Sequence, residues 1–200
     1  YNPQSGPYSR TIRRGLDFLV SNVAPTGEII EKNPRIPGQL FEIAMVGNAF
    51  VEAVLAGGEQ YREFAQRLVH LLCLYQGPRG GWGYTLSEFQ SENSAVAIWC
   101  ADTILKGQHA GLDVLPGAVD GIWNWFVNTV SDPVVDYQIK RDDKMSQEAY
   151  DKKIEQNITA GWKDRAFFAG NTAMSAYLLL QFGSDRDNPA IIGRLNAIKK

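Results

Sequence analysis

The sequence predicts an all-α fold assembled from a repeated pair of helices. Three observations carry this. Apolar residues recur at three- and four-residue steps along most of the chain, β-branched alternation is nearly missing, and matching helical segments return at intervals of 53 and 54 residues. A period of that size belongs to arrays in which each unit buries the face that its neighbour leaves open.

The first element is TIRRGLDFLVSNV, in which Ile12, Leu16, Leu19 and Val23 fall at helical spacing and Arg13, Arg14 and Asp17 fall opposite them. That is an amphipathic helix. The form returns in YREFAQRLVHLLCLYQ and in AVDGIWNWFVNTV, with Phe18-Leu19, Leu71-Leu72 and Trp125-Phe126 in register. A second, more apolar type alternates with it: VGNAFVEAVLAGG from Val46, ENSAVAIWCADTIL from Glu92 and GNTAMSAYLLLQFG from Gly170. Asn48, Asn93 and Asn171 are the expected N-terminal caps of these three. The apolar helices are expected inside and the amphipathic ones outside, with one face to solvent. IIGRLNAIKK, from Ile191, is expected to open a fourth outer helix.

The turns between the two types are rich in glycine. In QGPRGGWGY, Gly77 and Pro78 end the helix, Gly80 and Gly81 allow a sharp reversal, and Trp82 folds back over the helix end. PTGEI, residues 25–29, keeps the turn and puts Ile29 where Trp82 stands; a related Gly161-Trp162 precedes Asn171. These tryptophans are read first as packing residues that hold repeat to repeat. The third repeat is longer: 41 residues separate Val130 from Asn171, against 25 from Val23 to Asn48 and 17 from Gln76 to Asn93. Residues 131–167 are therefore a charged insert, containing MSQEAYDKKIEQ, an amphipathic segment that Ser146 is placed to cap.

Composition narrows the function classes. At 44% hydrophobic and 21% charged residues, the chain has an ordinary globular make-up. Its formal charge of -2 supplies no excess of cations for a nucleic-acid backbone, and no apolar run is long enough to span a membrane. Cys73 and Cys100 lie in apolar runs and are expected to pack as small hydrophobes. His70 and His109, the only histidines, have no cysteine at zinc-type spacing, so neither a metal nor a cofactor is expected. The chain opens on Tyr1, which suggests a piece of a longer one.

RGLDFLVSNVAPTGEI and RLVHLLCLYQGPRGGW resemble the repeat of the squalene-cyclase and protein-prenyltransferase superfamily, the second keeping both Gln76 and Gly-Gly-Trp. The resemblance implies an α/α toroid, and three to four helix pairs imply a partial or small one, with residues 1–200 a single toroid-like domain. The family's chemistry does not carry over. Where class II terpenoid cyclases place their run of acids, this chain has FAGNTA, residues 168–173, without a proton donor. Where prenyltransferases place a zinc-binding Asp-x-Cys, it has Glu92, Asn93 and Ser94. AGGEQYREFA is similar to the thioester segment of complement and α2-macroglobulin domains, but lacks the cysteine the thioester needs.

Two functional readings follow. The first is a non-catalytic toroid module that binds a protein partner or a neighbouring domain, with Trp82, Tyr84, Trp162, Arg165 and the insert as its candidate surface. The second is a terpenoid-cyclase-like or carbohydrate-active toroid enzyme, or a fragment of one, acting on a small hydrophobic or carbohydrate ligand with Glu42, Glu92 and Asp164 as its acids. The missing motifs favour the first.

Overall fold

A computed structural model of the chain describes residues 2–30, 40–86, 92–128, 146, 149, 173–174, 176–183, 185–188 and 191–192. The described structure is all-α. Its helices are α1 (Ser9–Val20), α2 (Leu40–Leu55), α3 (Arg62–Leu74), α4 (Ser94–His109) and α5 (Ala118–Asn128), with a short 3-10 turn at Glu59–Tyr61 before α3. A lone antiparallel bridge joins Val23 to Ile29. Two compact units divide the chain, Tyr1–Ile122 and Trp123–Lys200.

In the first unit α2 packs against α3 and α4, α3 against α4, and α1 against α2. The apolar composition of α4 has the expected result: Val96, Ala97, Cys100, Ala101 and Ile104 are all fully buried. Leu72 is likewise buried while Arg67 keeps 30% of its side chain in solvent, so α3 shows one face outward. Small residues set the helix spacing. A Cβ at Gly47 would lie 3.1 Å from Thr103 Cγ2 and 3.3 Å from Leu68 Cβ, and one at Gly107 only 2.9 Å from Val69 Cγ2. Phe50 fills the neighbouring space, stacked on Tyr61 at 6.0 Å and tilted against Phe64 at 5.6 Å.

The helix starts correct one expectation and support another. Asn93 caps α4, its side-chain oxygen accepting from the Ala95 and Val96 amides at 3.0 and 3.3 Å. Asn48 is no cap, because α2 begins earlier, at Leu40, and Asn48 lies in its middle. Leu40, Ile43 and Ala44 are buried and continue the apolar stripe upstream, so tertiary burial carries the helix past the asparagine. Asn171 falls outside the described residues.

The repeat is legible in backbone detail. Both α2 and α4 have 16 residues and begin 54 apart. They end alike: Gly57 donates to the Val54 carbonyl at 2.8 Å and Gly111 to that of Gln108 at 3.0 Å, while Gly58 reaches Ala53 and Leu112 reaches Gly107. Gly183 repeats the first of these bonds, to Leu180 at 3.0 Å, closing a helix over residues 173–174 and 176–181. It stands 72 residues after Gly111, so the third repeat is 18 residues longer than the 54-residue step. The insert predicted over 131–167 lies almost wholly outside the described residues, although Ser146 does accept from the Ala149 amide at 3.2 Å, as a cap would.

The two described turns match bond for bond. Ala24 donates to Glu28 and Gly77 to Gly81, both at 2.8 Å; Gly27 donates to Ala24 at 2.9 Å and Gly80 to Gly77 at 2.8 Å. Gly27 and Gly80 share a φ of 92°, open to glycine and strained for other residues. Each turn seats on the outer helix that follows it. A Cβ at Gly27 would come within 3.3 Å of the Arg67 carbonyl oxygen in α3, and one at Gly80 would overlap the Gly121 carbonyl oxygen in α5. Arg67 and Gly121 are themselves 54 apart. Gln76 locks the second turn by donating to the carbonyls of Gly80 at 2.9 Å and Ala118 at 3.0 Å, the latter in the first turn of α5.

Trp82 completes the joint. Its indole is 1% exposed and its N–H donates at 2.8 Å to the Leu72 carbonyl, one of the last four of α3 and so without an intrahelical partner. Trp82→Ala removes both this bond and a large buried surface. Chemical denaturation is expected to show a loss of roughly 3 to 5 kcal/mol; an unshifted transition would mean that the indole does not hold the joint.

Candidate functional site

The candidate residues that the structure describes gather at one end of the α2–α4 pair. The segment following the turn bridges both helix starts: the Tyr84 carbonyl accepts from the Leu40 amide at 2.9 Å and the Trp82 carbonyl from the Asn93 amide at 2.7 Å. Glu42 stands in the first turn of α2, exposed. Tyr84, whose carbonyl meets the start of α2, is 46% exposed. Trp82 is buried against α3, in keeping with its first reading as a packing residue, and this removes it from the candidate surface. Asp164, Trp162 and Arg165 lie outside the described residues.

Glu92 is enclosed. Only 1% of its side chain is exposed, and Oε2 lies 2.9 Å from an Arg79 guanidinium nitrogen. Its other oxygen sits against the turn, 2.6 Å from where a Cβ at Gly77 would be. The residue two before α4 is thus tied back to the preceding glycine turn, and the carboxylate is closed off from any substrate-sized group.

A polar cluster that sequence reading passed over links the middles of α2 and α4. Asn48 Nδ2 donates to Asp102 Oδ2 at 2.7 Å, and Lys106 Nζ lies 2.8 Å from the same oxygen and 2.7 Å from Glu52 Oε1. Asp102 is buried. The signal was present in the repeat itself: Asn48 and Asp102 are 54 residues apart, as are Glu52 and Lys106, so equivalent positions of adjacent apolar helices face each other. Burial alone would lower the Lys106 pKa, but hydrogen bonds and charge from Asp102 and Glu52 outweigh it and hold the ammonium above the ordinary lysine value. A lysine held protonated is neither base nor nucleophile. The cluster fixes the register of two otherwise apolar helices.

The thiols are equally inert. Burial pushes Cys73 up and the fully enclosed Cys100 up further, away from the thiolate that nucleophilic or metal chemistry requires. Among the described residues no group of three or more His, Cys, Asp and Glu is placed to hold a metal ion, and no helix is long and apolar enough to cross a membrane.

One open feature is a groove of about 720 Å³ between α1 and α2, lined by Pro3, Ile12, Leu16, Leu19, Ala49 and Ala53 among others. Its lining is apolar, with Glu52 as its one titratable member, already paired with Lys106. Phe18 and Leu55 stand at its border, 62% and 46% exposed. Such a surface offers little to polar substrate chemistry. Compared with family models, with curated proteins and with solved structures, the chain matches none.

The charged cluster makes a pH-dependent prediction. Because the folded pKa of Lys106 is raised, its contribution is complete below the unfolded value and is lost as pH climbs through the folded one. Lys106→Met is expected to cost about 1 to 3 kcal/mol near neutral pH, a deficit that shrinks as both proteins are titrated above 10.5, the ordinary lysine value. Denaturant titrations at neutral and alkaline pH measure it; a deficit independent of pH would contradict the pairing.

Proposed function

We infer that the chain is a non-catalytic repeat module of the α/α toroid type, related to the squalene-cyclase and prenyltransferase repeats, that binds a protein partner or a neighbouring domain. The observation that supports this best is the engagement of two of its acids, Glu92 and Asp102. Glu92 is closed in against Arg79 and the Gly77 turn, and Asp102 is held by Asn48 and Lys106. Both carboxylates serve packing. Among the described residues Glu42 stands exposed on α2, whereas acid catalysis on an alkene or a glycosidic bond needs a positioned donor in a water-poor cleft.

The apolar helices, with their turn-to-helix joints, supply a rigid scaffold. The binding face is the end where Tyr84 and Glu42 are presented beside the starts of α2 and α4. Incubating the purified chain with a linear polyprenyl substrate and with a panel of oligosaccharides, products followed by mass spectrometry, is expected to return each substrate unchanged. Turnover that Glu42→Gln or Glu92→Gln abolishes without lowering the melting temperature would contradict the non-catalytic reading.

A further inference from the structure

We draw no further inference here: the strongest candidate, the apolar groove between α1 and α2, carries nothing because nothing in the structure shows what covers it.

Discussion

The fold depends on a close approach between backbones: the glycine turn after one amphipathic helix seats on a carbonyl of the next. At Gly80 the approach to Gly121 leaves no room for a side chain, and at Gly27 the Arg67 carbonyl stands 3.3 Å from where one would begin. Everything around the second turn secures this seat. Gln76 donates both within the turn and across to Ala118, Trp82 covers the end of α3, and Glu92 reaches back from the start of α4 to Arg79. The turn is thereby the point where two repeats are joined, and the spacing of the helices follows from it.

Between the joints, apolar helices that would pack in several registers are held in one by a few polar groups. A Cβ-free Gly47 allows α2 and α4 to come close, and closeness alone does not choose between sliding positions. The Asn48–Asp102 and Glu52–Lys106 pairs do, since a shift of one turn would take Asn48 from the buried Asp102 carboxylate and Glu52 from Lys106. The cost of hiding charge is offset by mutual pairing. What the described residues leave open are surfaces: the exposed end near Tyr84 and the apolar groove between α1 and α2.

Much of this was legible in the sequence because the determinants are local. Helix type follows from apolar spacing, the cap at Asn93 from its position before an apolar run, and the turns from glycine and proline. The start of α2 was not legible, since Leu40, Ile43 and Ala44 are helical through burial against the rest of the unit and no local signal marks the boundary. Asn48 misled for the same reason: an asparagine before an apolar run reads as a cap, yet its side chain is claimed by Asp102, 54 residues away. Trp82 was correctly expected to pack, and its burial withdraws it from the ligand surface. The groove could not be read from composition, because Ile12, Leu16 and Leu19 look like any buried stripe, and only the structure shows Ile12 and Leu19 partly exposed.

The seat of the turn on the next helix can be measured apart from the backbone conformation it requires. Gly6 and Gly80 have nearly the same φ, 94° and 92°, but a Cβ at Gly6 meets nothing within 4 Å. Denaturation of the two alanine variants separates the terms. Gly6→Ala is predicted to lose about 1 to 2 kcal/mol, the cost of a left-handed residue with a side chain, and Gly80→Ala at least about 3 kcal/mol more or the fold itself. Equal losses at the two positions would show that the turn does not rest on α5, and would contradict the account.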